Sequence, residues 1–292
     1  MSLLEYEGIV YRPPSEAYSL IVQVTIGCSH NSCSFCNMYK EKTFRVRELK
    51  DIIADLEQAK LDYGSVKRIF LADGDALVLE FSKLKLILLK IKELFPGCER
   101  VGVYATPNDI LAKSLEELRK LQDLGIGILY LGVESGSSEI LKSINKGVTA
   151  QKLIMAGRKV KDSGIKLSVT LISGIGGREK ISENAIESAK LISVINPDYV
   201  GFLTLMLESG TPMYKDIQDG IFHVLTPEEV MQELREFLEN VEVTNCIFRS
   251  NHASNYMELA GTLPGDKDKL LSDINLALIG KQRYKQEVYR RL

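Results

Sequence analysis

The sequence predicts an α/β fold in which six strand–helix units follow one another and a C-terminal extension closes the chain. Three observations carry this. Short runs of Val, Ile and Leu alternate with longer amphipathic stretches from residue 19 to residue 207. The apolar runs are mostly continuous, as expected of parallel strands buried on both faces. Glycines punctuate the segment ends, among them Gly64, Gly125 and the run "GIGG" at 174–177.

The first strand is "SLIVQVTI" (19–26), and "RELKDIIADLEQAKLDYG" (47–64) has helical spacing with Gly64 as a C-cap. "VKRIFLAD" (66–73) is a strand and "EFSKLKLILLKIKELFPG" (80–97) a helix. "RVGVYATP" (100–107) and "LAKSLEELRKLQDLG" (111–125) repeat the pair. "GILYLGVESG" (127–136) is a strand running into a glycine turn, followed by the helix "TAQKLIMAGRKVKDSG" (149–164). "IKLSVTLISGIGG" (165–177) leads to "ENAIESAKLISVINP" (183–197), and "DYVGFLTLML" (198–207) is the sixth strand. In the tail, "TPEEVMQELREFLENV" (226–241) reads as a helix with a capping box of Thr226 and Glu229. Residues 248–266 read as polar and irregular, and a last helix spans about 267–290.

The 292 residues are 45% hydrophobic and 26% charged, ordinary values for a globular chain with a sizeable core. A net charge of −2 and a pI near 6.1 exclude the basic footprint of a general nucleic-acid binder. No apolar run approaches the roughly 18 residues that span a bilayer. The opening "MSLLEYEGIVYRPPSEAYSL" lacks the basic start and long apolar run of a signal peptide. Five cysteines, an odd number, argue against a disulfide framework and for a reducing cytoplasm.

Three of those cysteines are crowded together. Cys28, Cys33 and Cys36 are spaced C-x4-C-x2-C in "TIGCSHNSCSFCNMY", directly after the first strand. Thiolates bind soft metals. Structural zinc takes four protein ligands, so a zinc reading needs His30 or Cys246 as the fourth. A four-iron cluster held by three cysteines instead keeps one iron open to a substrate or cofactor. Both readings stand on the spacing alone. The position adds that active sites of α/β barrels and open α/β sheets lie at the C-terminal ends of the strands.

The triad with Phe35 before its last cysteine, and the six strand–helix units behind it, resemble the radical S-adenosylmethionine (SAM) enzymes over roughly residues 17–210. The loop has one residue more between Cys28 and Cys33 than the commonest family spacing. The resemblance implies a partial (β/α)6 TIM-type barrel with a C-terminal extension. The parts are an N-terminal segment 1–16, the barrel 17–225, and an extension 226–292 that covers the active site as a lid. It implies a [4Fe-4S] cluster on Cys28, Cys33 and Cys36, and S-adenosyl-L-methionine chelated to the open iron. One-electron reduction of SAM then gives a 5′-deoxyadenosyl radical that takes a hydrogen atom from the substrate. An electron donor such as flavodoxin or ferredoxin is implied as partner.

Family motifs map onto the strand ends. "LADGDA" (71–76) stands where the SAM ammonium is held, with Gly74 and Asp75. "GVESGS" (132–137) offers Glu134 for the ribose and Ser135 for the carboxylate. "ISGIGGRE" (172–179) stands beside the adenine with Ser173, Gly174 and Arg178. For substrate, the strand exits and the tail offer Tyr104, Asn108, Met206, Glu208, Arg249, Asn251, His252 and Asn255. The absence of a second cysteine cluster sets aside methylthiotransferases and auxiliary-cluster enzymes, and the slight acidity makes a whole tRNA unexpected. A small metabolite is the expected substrate. The whole chain is similar to a compact subgroup that includes queuine lyase, which implies C–N cleavage of a deazapurine base.

Overall fold

The computed structural model describes residues 4–291. Met1–Leu3, the start of the expected segment 1–16, and Leu292, the end of the expected extension, lie outside the described residues.

In chain order the strands and helices begin with β1 (Leu20–Gln23), β2 (Thr25–Ile26), β3 (Arg45–Val46), α1 (Leu49–Tyr63), β4 (Arg68–Ala72) and α2 (Phe81–Leu94). Then come β5 (Arg100–Ala105), α3 (Pro107–Ala112), α4 (Leu115–Asp123), β6 (Ile126–Glu134), α5 (Ser138–Ser143), α6 (Ala150–Ser163) and β7 (Lys166–Ser173). The rest are α7 (Ile181–Ile195), β8 (Tyr199–Thr204), α8 (Pro212–Gln218), α9 (Pro227–Asn240), β9 (Cys246–Ser250), β10 (Leu259–Leu263) and α10 (Lys267–Leu278). The main sheet has eight strands in the order β1-β4-β5-β6-β7-β8-β9-β10. In it β1–β4, β4–β5, β5–β6, β7–β8 and β8–β9 pair in parallel, and β9–β10 pairs antiparallel. This is the expected α/β architecture, with strands following one another across the sheet.

The chain divides into two compact units. The first holds the chain up to Asn31, Met38–Leu131 and Lys159–Leu167. Its core is built from period-matched faces. Ile52, Leu56 and Ala59 put one stripe of α1 inside, and Leu84, Ile87, Leu88 and Ile91 do the same for α2. Gly64 ends α1 at φ 66°, a turn that L-residues with a Cβ avoid. Phe70, Tyr104 and Tyr130 meet edge-on, with Phe70 5.0 Å from Tyr104 and Tyr104 6.1 Å from Tyr130. The N-terminal segment is fastened here through Glu16, which is fully buried. Its carboxylate takes hydrogen bonds from the Tyr130 and Ser19 hydroxyls and an ion pair from Arg100 at 2.5 Å.

The second unit holds Ser32–Asn37, Gly132–Arg158 and the chain from Ser168 onward. α9 packs on α7 and α10, and Phe237 of α9 meets Phe202 of β8 at 4.7 Å. The capping box is present as read: Thr226 and Glu229 exchange side-chain and backbone bonds at the start of α9.

Two readings are corrected. The first strand stops at Gln23, and Thr25–Ile26 instead pair antiparallel with Arg45–Val46. Residues 248–266 are only partly irregular: β9 lies parallel to β8 and β10 pairs with β9, with loop between them at 251–258. β9 carries the alternating burial of a sheet strand, with Cys246, Phe248 and Ser250 inside and Arg249 outside. Five residues with two polar ones among them give too short a pattern to read from sequence.

Candidate active site

Every strand exit that resembled a family motif is defined by local bonding. In the first unit, the backbone stays zipped beyond β1 and β4: Val24 N–H donates to Ala72 O at 2.6 Å and Gly74 N–H to Gly27 O at 3.2 Å. Cys28 follows, part-exposed. Gly74 has no room for a side chain, since a Cβ there would lie 2.6 Å from the Tyr39 ring. Asp75 is fully buried and accepts a hydrogen bond from the Ser29 hydroxyl. Burial, and then Asp109 beside it, push the Asp75 carboxyl up to about 8, against the pull of Ser29 and Lys113. His30 is a part-buried residue of the same loop.

At the exit of β5, Tyr104 belongs to the aromatic cluster, and Asn108 is exposed on the short helix α3. Thr106 caps that helix, accepting from the Asp109 amide at 3.3 Å.

In the second unit, the cysteine segment Ser32–Asn37 is held mainly by backbone groups. Ser34 N–H donates to Ile144 O at 2.9 Å, and Met213 N–H to Ser34 O at 3.1 Å. The Asn145 side chain donates to Ser32 O at 2.9 Å, and that of Asn37 to Glu208 at 3.2 Å. Cys33, Phe35 and Cys36 are part-exposed.

Glu134 ends β6 at φ 63°, a left-handed backbone that is rare for a residue with a side chain. Its carboxylate is 2.7 Å from the Lys146 ammonium. Ser135 is buried, and its hydroxyl is spent inside the protein: it donates to Asn184 at 2.7 Å and accepts from the Ser137 amide at 3.1 Å. This corrects the expectation that the Ser135 hydroxyl reaches a ligand carboxylate. Gly136 must be glycine because a Cβ would strike the Glu187 carbonyl of α7 at 2.2 Å.

After β7, Ser173 is buried and the Gly174 amide donates to Glu233 of α9 at 3.1 Å. Glu233 is 1% exposed, and burial pushes its carboxyl up to about 8 despite the Gly174 amide and the nearby Asn184 and Ser173, which pull it down. The sequence reading missed it, although an acid on the apolar stripe Val230–Leu234–Phe237 of α9 was the available signal. Arg178 pairs with Glu229 at 2.7 Å and is half exposed, so its guanidinium is engaged at the start of α9.

The proposed substrate groups separate into two kinds. Met206 is part-buried, and Glu208 and Asn251 are exposed. Arg249 is exposed on β9, with one guanidinium nitrogen donating to Phe248 O at 2.8 Å. His252 shares a hydrogen bond with Ser254 at 2.9 Å, and burial followed by the Lys285 charge lowers its pKa. Asn255 is a correction. It is 2% exposed, accepts from Thr204 at 2.9 Å and donates to Phe202 O at 2.8 Å, so its amide locks the end of β8. Cys246, the other candidate zinc ligand, is fully buried on β9 opposite Leu263.

The model of the radical SAM superfamily matches residues 22–189, more than half of the chain. The chain belongs to the radical SAM superfamily. Among curated relatives, a methylthiotransferase-like protein of Methanocaldococcus jannaschii is 27% identical over 163 residues, 53% of this chain and 35% of that protein. The tRNA-2-methylthio-N(6)-dimethylallyladenosine synthase of Clostridium botulinum is 28% identical, covering 86% of this chain and 55% of its own length. The chain thus spans about half the length, or less, of these relatives. Coproporphyrinogen III oxidase from Escherichia coli superposes with a TM-score of 0.56 at 20% identity, over 76% of this chain and 52% of that one. Methylornithine synthase gives 0.53 at 16% identity, over 92% and 83%. At these identities the superpositions show a shared fold.

Radical SAM family members bind a [4Fe-4S] cluster and S-adenosylmethionine. The donor chemistry suits that group: all five cysteines are unbridged, and the three in the loop after β2 are part-exposed. Among the described residues no three His, Cys, Asp or Glu side chains are gathered closely enough to hold a single metal ion. Family membership decides between the two metal readings in favour of iron–sulfur. Among the described residues no helix is long and apolar enough to cross a membrane.

Proposed function

We propose that this chain is a radical SAM enzyme that removes a hydrogen atom from a small polar substrate. The observation that carries the reading is the loop of three unbridged cysteines at the first strand exit of a chain matched by the superfamily model. Cys28, Cys33 and Cys36 hold the cluster. The β4 exit at Gly74–Asp75, Glu134 and the β7 exit at Ser173–Gly174 hold SAM, largely through backbone groups. When bound, cluster and SAM supply one-electron chemistry that no side chain can perform. The chain's own part is to bind, to orient and to keep water out. A one-electron donor of the flavodoxin or ferredoxin kind is required, and a cytoplasmic setting suits three part-exposed thiols. Residues 226–292 supply α9, β9 and the loop carrying Asn251 and His252, which act as the cover over the substrate.

The finer reading is a carbon–nitrogen lyase that converts queuine to 7-aminomethyl-7-deazaguanine. Exposed Glu208 can accept the N–H groups of a guanine-like face, and Asn251 and Arg249 can donate to its carbonyl. Anaerobically reconstituted protein, SAM, reductant and queuine should yield 5′-deoxyadenosine together with the aminomethyl base. 5′-Deoxyadenosine without that base would remove the lyase and leave the family chemistry. The match to tRNA methylthiotransferases over most of this chain favours one other reading, a tRNA-borne nucleoside as substrate. A modified nucleoside formed from tRNA, with queuine untouched, would select it.

A further inference from the structure

The first cysteine of the triad sits between two residues that are each held by an acid from the same short loop. Gly27, just before Cys28, donates its amide to Asp73 Oδ2 at 3.0 Å. Ser29, just after Cys28, donates its hydroxyl to Asp75 Oδ2. Both acids are fully buried, and both belong to the exit of β4. Between them, Gly74 donates back to Gly27 O at 3.2 Å.

Asp73 is itself rigidly held. It receives Gln23 Nε2 at 3.1 Å and the Lys42 ammonium at 2.9 Å, and its own amide donates to Thr25 Oγ1 at 3.0 Å. A buried carboxylate with this many donors is satisfied and fixed in direction. Asp75 has fewer partners, and its reach to Ser29 is the one side-chain bond from the β4 exit to the residue after the cysteine. The family resemblance gave Asp75 a place beside the SAM ammonium; the geometry gives its side chain another job.

We infer that Asp73 and Asp75 are positioning residues for Cys28: they bracket the first cluster ligand and set where its sulfur stands. Neither is proposed as a ligand: Asp73 acts through the Gly27 amide and Asp75 through the Ser29 hydroxyl, one on each side of Cys28, so the β4 exit holds the iron ligand in register. A ligand fixed in advance loses less freedom when it binds, so cluster retention depends on the bracket.

The inference rests on Cys28 being a ligand, and the experiment separates the two. Ser29→Ala, Ser29→Thr, Asp75→Ala and Cys28→Ala are reconstituted anaerobically beside the parent and a Cys98→Ser control. Iron per chain and the rate of cluster bleaching in air are read, with thermal unfolding of each apo-protein alongside. Ser29→Ala and Asp75→Ala should each bleach about 10–100-fold faster, the scale for residues that support a metal ligand. Their double variant should be no worse than either, because they remove one bond. Ser29→Thr should restore retention, and apo unfolding of Ser29→Ala should match the parent. Parent-like bleaching in both single variants overturns the bracket. Retention of a full cluster by Cys28→Ala overturns the ligand assignment instead.

Discussion

The exits of β4 and β7 each bury a carboxyl group, and the two are kept in opposite ways. Asp73 meets an ammonium, a side-chain amide and a backbone amide, with Lys42 at 2.9 Å. Glu233 meets the Gly174 amide at 3.1 Å, with Ser173 and Asn184 nearby and no cation among its partners, and burial drives its carboxyl up to about 8. The first is an ion-paired clamp; the second is pushed toward its protonated form. Depth of burial is the same in both, so the donor inventory sets the difference.

The largest test of that contrast is Asp73→Ala. It leaves Lys42 buried beside an empty partner position and should cost about 3–5 kcal/mol in urea unfolding of the apo-protein. A cost below about 1 kcal/mol would break the contrast, because the pair would then behave like an exposed one. Glu233 gives the next effect, with a distinct pH signature. Its folded value of about 8 lies above the ordinary 4.5, so the native state keeps a proton that the unfolded chain releases. Stability should therefore fall as pH rises through that window and level off above it. Glu233→Gln removes the titration, so the variant's unfolding midpoint should show less of this fall between about pH 5 and about pH 8. Parallel curves for parent and variant would mean that Glu233 is ionised when folded. Smallest is Arg178→Ala at the same β7 exit. Its pair with Glu229 is half exposed, and its loss should cost about 0–1 kcal/mol, diminishing in high salt. A larger, salt-insensitive loss would place a second buried charge there.

Much of the fold was legible because long elements announce themselves. α1, α2, α6, α7 and α9 repeat apolar residues over three or four turns, and Gly64 and Thr226 mark their ends by backbone chemistry that few other residues supply. The short pieces were not legible. β2 and β3 have two residues each, and α3 and α5 have six, too few for any period to emerge. β9 was hidden because Arg249 and Ser250 make "CIFRS" look like loop, although alternate residues face inward. At the site, residue type and order revealed the cysteines and the glycine turns. Hydrogen-bond destination did not show in the sequence. Ser135 and Asn255 are polar residues near strand ends, and only the fold reveals that Asn184, Thr204 and Phe202 already occupy them. Asp73 was read merely as the end of a strand, yet it makes more bonds than the neighbouring Asp75.

The division of the cysteine loop also imposes a timetable on a growing chain. The supports of Cys28 are complete once Asp75 has been made. Those of the Cys33–Cys36 segment come from Ile144, Asn145 and Met213. A ribosome producing this protein from the N-terminus therefore displays two thiols without their backbone anchors until nearly three quarters of the chain has emerged. On the proposed ligand set, early capture of iron would meet a half-built loop and early oxidation unprotected sulfur, which puts cluster insertion after α8 has formed.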